Sequence, residues 1–148
     1  MSAKKPRPKR FWRNLIVPHW ESTKLPMDTT INNHKIGLII PSTVNANEAA
    51  STEIVSKWVK CAKVQFAQLF GGFTSHNAVG GCLSPELGLI EENVTVVARF
   101  TNDHGLNRLG EVRAFAAKMG RALGQEAVAV EVDHRLEFIP PLGVAVTA

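Results

Sequence analysis

Two glutamates stand where a strand would normally place an apolar side chain. Glu126 precedes Val128, Val130 and Val132 by even steps, and Glu92 shares the parity of Ile90, Val94, Val96 and Phe100. Side chains alternate faces along a strand, so each carboxylate falls on the apolar side of its segment. Glu91 takes the other parity, with Asn93, Thr95 and Arg99. A strand-end carboxylate either reaches past the sheet into water or lines a site, and a one-residue slip in register would reverse the faces. As a site, the pair offers negative charge to a cation. "PST" at 41–43 precedes a helical segment whose first turn offers unpaired N–H groups and partial positive charge to a carboxylate. A zwitterionic, amino-acid-like ligand with a further positive centre suits that combination. "VGGC" at 79–82 places glycines inside a strand, where they permit a bulge or close approach of a ligand.

The elements that must position these residues follow from periodicity. "KIGLIIPST" (35–43) reads as a strand stopped by Pro41. Residues 47–70 carry Ala50, Ile54, Trp58, Ala62, Phe66 and Leu69/Phe70 at helical spacing, with Asn45 or Asn47 as cap and "GG" at 71–72 as stop. Trp58 and Phe66 belong to that core stripe. Segments 73–83 and 89–100 flank "SPELG" and predict a hairpin with a loop of about five residues. A second helix, capped by Asn102 or Asp103, aligns Leu106, Leu109, Val112, Ala116, Met119 and Leu123, and Gly124 suits its C-terminal end. The last strand spans about 126–132 and continues into "RLEFI".

The order βαββαβ predicts an α+β, ferredoxin-like sandwich, with two helices on one face of a four-stranded antiparallel sheet. The strand order there is four-one-three-two. Strands three and four then run parallel to each other, and both start at the edge where strand one ends. Glu92 and Glu126 would lie about 10 Å apart, twice the inter-strand spacing, with residues 41–43 between them.

Composition narrows the class. The chain of 148 residues is 45% hydrophobic and 20% charged, which is globular and long enough for one core. No apolar run approaches the roughly 20 residues of a membrane span, and the N-terminus lacks a secretory apolar region. The net charge of +4 conceals a division. Six of the 17 basic residues (Lys4, Lys5, Arg7, Lys9, Arg10 and Arg13) lie in the first 13 positions, and the remaining 11 face 13 acids. Residues 1–34 therefore read as a basic, Pro-rich arm, 35–139 as the domain and 140–148 as a tail. Basic residues 4–13, interleaved with Phe11, Trp12 and Trp20, suit nucleic acid or an acidic surface. They equally suit a solvated tail whose aromatics dock on protein. Cys61 and Cys82 form no metal spacing and read as free, buried thiols of a reducing cytoplasm, although sequence alone leaves a disulfide open. The five histidines form no HxxxH or HExxH pair, so no metal is expected.

"GGCLSPELGLIEENVTVV", followed some thirty residues on by "GQEAVAVEV", resembles the phage-encoded S-adenosylmethionine lyases, formerly described as hydrolases. The stretch of about 66–139 also resembles a broader set of small phage, plasmid and bacterial proteins. The resemblance implies a ferredoxin-like homotrimer in the host cytoplasm, with ligand sites between subunits. It implies conversion of S-adenosylmethionine to methylthioadenosine and homoserine lactone. The substrate's own carboxylate displaces the thioether, so neither cofactor nor metal is needed, and the enzyme supplies conformation and charge placement. Carried over by position, the acid before the third strand falls on Glu92, with Glu91 competing, and the acid after Gln125 falls on Glu126. These acids would hold the ribose hydroxyls or the ammonium and set the field around the sulfonium. Gln125 would supply a hydrogen bond, Gly81 close backbone approach, and Thr43 with the first helical turn would position the carboxylate. The chain has no tyrosine, so a contact made through tyrosine in relatives must be replaced or absent. The long basic arm is likewise outside the pattern. Two other readings compete: a non-catalytic oligomeric module that binds nucleic acid or another acidic partner through its arm, and a small-ligand sensor without turnover.

Overall fold

In a computed structural model, residues 29–45 and 48–144 are described. The chain divides into Met1–Ile31 and Asn32–Ala148, and the strands and helices below belong to the second unit. The expectations for residues 4–13, Phe11, Trp12, Trp20 and the Asn47 cap fall outside the described residues.

Strand β1 (His34–Ile40) is the middle of a five-stranded sheet. Its sequence neighbours are β2 (Thr43–Val44) and β3 (Glu48–Ala49), a small separate hairpin. Helix α1 (Thr52–Phe70) follows, then β4 (Thr74–Ser84), β5 (Gly88–Thr101), α2 (Asp103–Leu106), α3 (Leu109–Ala122), β6 (Val128–Val132) and β7 (Arg135–Ile139). The sheet order is β4-β5-β1-β6-β7, with every adjacent pair antiparallel. The architecture is α+β and compatible with the expected ferredoxin-like order, but the sheet has five strands rather than four. "RLEFI" does not continue the last strand. Asp133 adopts a left-handed φ of 55°, and the chain reverses there so that Val132 pairs with Arg135.

Helix boundaries also differ from expectation. α1 begins at Thr52, because Ser51 is the cap and its side chain accepts from the Ile54 N–H. The segment before it instead turns back on β2, and the Ala50 N–H donates to the Ser42 carbonyl at 2.8 Å. Gly71, at φ 80°, ends α1 as the sequence suggests. Asn102 caps only the short α2, through a 3.0 Å bond from the Gly105 N–H. A β-carbon at Gly105 would collide with Thr101, so this turn rests directly on the end of β5. α3 then starts afresh, its first turn tied by the Arg108–Glu111 ion pair.

The core lies between the two long helices and one sheet face. Ala62 and Phe66 of α1, and Leu109, Val112, Ala116 and Met119 of α3, pack on Ile36, Leu38, Ile40, Val97, Val128, Val130 and Val132. Each of the Val, Leu, Ile, Phe and Met side chains among them contributes about 1.5–3 kcal/mol when fully buried. Trp58 packs edge-on against Phe115, ring centroids 5.7 Å apart, and bridges the helices. The Arg113–Glu137 pair ties α3 to β7.

The faces of β5 are the reverse of what its apolar parity suggests. Leu38 is paired with Val97 and Ile40 with Thr95, and cross-strand partners share a face. Val97 joins the helix-side core, whereas Val94, Val96 and Ala98 are buried outside it. The apolar parity of β5 thus points away from the helices. Glu92 follows that parity, and Glu91 lies on the helix side. Cys61 and Cys82 are free but exposed, not buried. No helix of the described residues is long and apolar enough to cross a membrane.

At the far end of the sheet, His34 joins three elements. Its Nδ1 lies 3.0 Å from Asp133 in the β6–β7 turn, and its Nε2 lies 2.7 Å from Asp103 at the start of α2. Asp133 also accepts from the Lys35 N–H at 2.9 Å. These bonds, first from Asp133 and then from Asp103, hold the imidazole above its ordinary value near 6.5. The bond from His34 in turn holds Asp133 below its usual range. The histidine's contribution is complete below about pH 6.5 and disappears as pH rises through its elevated value. The aspartate's contribution is complete above the usual carboxylate range and disappears as pH falls through its lowered value. The difference in melting temperature between the parent and His34→Asn should therefore be largest near pH 5–6 and shrink toward pH 9, read by scanning calorimetry. A difference that grows toward pH 9 would contradict a protonated bridge.

Candidate functional site

The β4–β5 hairpin runs past the rest of the sheet. β5 pairs with β1 from Thr101 to Thr95 only, while its pairing with β4 continues to Gly88. Beyond Ile40, the chain leaves the sheet through Pro41, Ser42 and Thr43. Carrying the β1–β5 register three residues further would set Thr43 opposite Glu92. The hydrogen bonds agree with that placement. One oxygen of Glu92 accepts from the Ser42 N–H at 3.3 Å and from the Thr43 hydroxyl at 3.1 Å. The Gln125 amide donates to the Thr43 carbonyl at 2.8 Å and approaches the Thr43 hydroxyl at 3.3 Å. A polar relay thus runs from Gln125 through Thr43 to Glu92, across the α3–β6 connection, the exit from β1 and the start of the projecting β5.

Beside this relay lies an open cleft of about 440 Å³, lined by Ser42, Thr43, Val79, Glu91, Glu92 and Asn93 among others. Both acids line it, although they leave β5 on opposite faces, Glu91 on the helix side and Glu92 toward Ser42 and Thr43. A second depression of about 320 Å³ adjoins it under the start of α1 and shares Ser42 and Asn93. The two form one groove, large enough for a nucleoside-sized ligand.

The other predicted positions lie around the groove. Gln125 reaches Thr43 without lining either depression, and Gly81 pairs with Glu91 on the hairpin. A β-carbon at Gly81 would lie 2.9 Å from the Ile90 carbonyl, so close backbone approach within the hairpin accounts for the glycine. Glu126 is not on the buried parity of β6. The strand begins only at Val128, and Gly124, at φ 61°, starts a turn that breaks the alternation. Glu126 is exposed in that turn, lines neither depression and makes no hydrogen bond among the described residues. Gln125, its neighbour, is the side chain that turns inward. The first turn of α1 borders the groove through Val55 rather than through its N-terminal N–H groups. Periodicity missed the Ser42 N–H and the Asn93 side chain. Asn93 had one visible signal: a polar residue directly after two acids, on the helix-facing parity.

No protein-family model and no curated relative matches the sequence. Two solved structures share its fold: a phage SAM lyase in complex with S-methyl-5'-thioadenosine and a phage SAM lyase in the apo state. Their TM-scores are 0.55 and 0.53, both at 14% identity, over 82% of this chain and 100% of theirs. The likeness establishes a common fold.

The relay predicts unequal effects at adjacent residues. Thr43→Val keeps the side-chain shape but removes the hydroxyl shared by Gln125 and Glu92. It should cost about 1–2 kcal/mol of stability in urea titration. Ser42→Ala preserves the backbone N–H that meets Glu92 and should change stability by less than about 0.5 kcal/mol. Equal losses would contradict the relay.

Proposed function

We propose that the groove binds S-adenosylmethionine and opens it by an intramolecular displacement. A carboxylate oxygen of the methionyl group attacks its own γ-carbon, and the bond from that carbon to sulfur breaks. The bonding pair stays on sulfur, which leaves as neutral methylthioadenosine while the rest closes to homoserine lactone. The anionic nucleophile and the sulfonium cancel each other's charge, so no proton needs a general base. The barrier falls when the methionyl chain is held folded, with the carboxylate behind the carbon–sulfur bond.

The observation that carries this reading is Glu92, held at the cleft wall by Ser42 and Thr43. A carboxylate placed directly against the sulfonium would stabilise the charged ground state more than the charge-cancelled transition state. Glu92 and Glu91 are therefore assigned to the ribose hydroxyls and the ammonium, at the edge of the sulfonium's field. Thr43 and Gln125 fix the carboxylate's position. The shared fold with phage SAM lyases supports the same reading.

The reading includes a homotrimer. The cleft is open on one side, and the hairpin beside it exposes Leu83, Leu87 and Leu89 at 79%, 71% and 67%. β4, at the sheet edge, has no Lys, Arg, Asp or Glu in its eleven residues, so charge does not guard it against pairing. Glu126, outside the cleft of its own chain, is assigned to the cleft of a neighbouring subunit. Glu92→Gln and Glu126→Gln should each lower S-adenosylmethionine turnover by about 100-fold with unchanged circular dichroism. Co-refolding the two variants should restore activity, because mixed trimers form sites with both acids intact. Full activity in either variant would remove that residue from the site. Failure of the mixture to recover would place both acids in one subunit.

A further inference from the structure

The two ends of the groove differ in chemistry. One end carries Glu91 and Glu92. The other, under the start of α1, has no ionisable side chain in its lining. Val55 supplies apolar surface there, with the fully buried Ile40 at its back, and Asn77, Asn93 and Thr95 supply neutral polar groups. Asn77 pairs with Thr95, and Thr95 with Ile40, so the three form a row across β4, β5 and β1. One step further along the same face, Leu38 and Val97 are fully buried beneath the helices. Ile40 is the covered end of the row, and its polar members, Thr95 and Asn77, lie where the helical cover stops.

The amides differ in what they offer. The Thr95 hydroxyl donates to the Asn77 side-chain oxygen at 3.4 Å, which occupies that oxygen and leaves the N–H donors for a ligand. Asn93 makes no side-chain hydrogen bond among the described residues, and it stands where the two depressions meet. A free carboxamide presents a donor and an acceptor side by side, the complement of the amino and ring-nitrogen edge of adenine. A neutral, flat heterocycle also fits a recess that has apolar walls and no charge to desolvate.

We infer that the neutral depression takes the purine base, that Asn93 recognises its 6-amino group, and that Asn77 donates to a ring nitrogen. The ribose and the sulfonium then fall at the acidic end. This assignment rests on the binding of S-adenosylmethionine proposed above, and it names the residues that select the base.

The test is calorimetric titration of the full-length protein with methylthioadenosine and with methylthioinosine, in which an oxo group replaces the 6-amino group. The parent should bind the adenine compound about tenfold more tightly. Asn93→Ala should bring that ratio below about threefold. Asn77→Ala should weaken both compounds alike and leave the ratio in place, since the acceptor assigned to Asn77 is N7, which both compounds keep while N1 becomes an N–H donor in the oxo compound. Both asparagines are exposed, so melting temperatures should match the parent and confirm folding. Discrimination that survives Asn93→Ala, or a parent that binds both compounds equally, overturns this inference alone. A parent that binds neither compound nor S-adenosylmethionine overturns it together with the proposed function.

Discussion

The arrangement depends on a carboxylate held at the point where the central strand leaves the sheet. Glu92 accepts from the Ser42 N–H and the Thr43 hydroxyl, and Thr43 in turn is held by Gln125. Pro41 ends β1 at that level, so residues 42 and 43 are free of the sheet ladder and can turn toward β5. β5 extends beyond β1 in the projecting β4–β5 hairpin, and Glu92 meets them there. One set of contacts thus relates the length of the hairpin, the exit of β1 and the turn before β6. The groove lies among these three.

Much of this was legible in residue spacing. The stripe Leu109, Val112, Ala116, Met119 and Leu123 lies buried as its period requires, and Ala62 and Phe66 do the same for α1. These positions follow local rules, because a helix buries one stripe and its sequence carries that stripe. The faces of β5 were less legible. Val94, Val96 and Val97 are all buried, so the strand has apolar residues on both sides and alternation cannot say which side meets the helices. The fifth strand was missed because its reversal needs only two residues and a left-handed aspartate, with none of the glycines that usually mark such a turn.

The candidate residues were legible in their types and less so in their placement. Glu92 was identified by parity and does line the cleft. Glu126 was identified by the same argument, which fails because the turn after Gly124 ends before Val128 and resets the alternation. The inward position belongs to Gln125. No periodicity argument could supply the Ser42 N–H, since its role comes from a backbone freed by Pro41. The His34 bridge was also beyond reach: Asp103 and Asp133 are distant in sequence and meet only through the topology.

Under the proposed function, charge orders the groove from end to end. Two acids at one end and only neutral groups at the other give a ligand a direction, with its cationic part beside the hairpin and its neutral part beneath α1. The most direct measurement is incubation of the protein with S-adenosylmethionine in water enriched in oxygen-18, with products resolved by mass spectrometry. Displacement by the substrate's own carboxylate predicts methylthioadenosine and homoserine lactone, the first-formed lactone carrying no oxygen-18. Homoserine bearing the label on its γ-hydroxyl would mean attack by water, and substrate recovered intact would mean no turnover; either result would contradict the account.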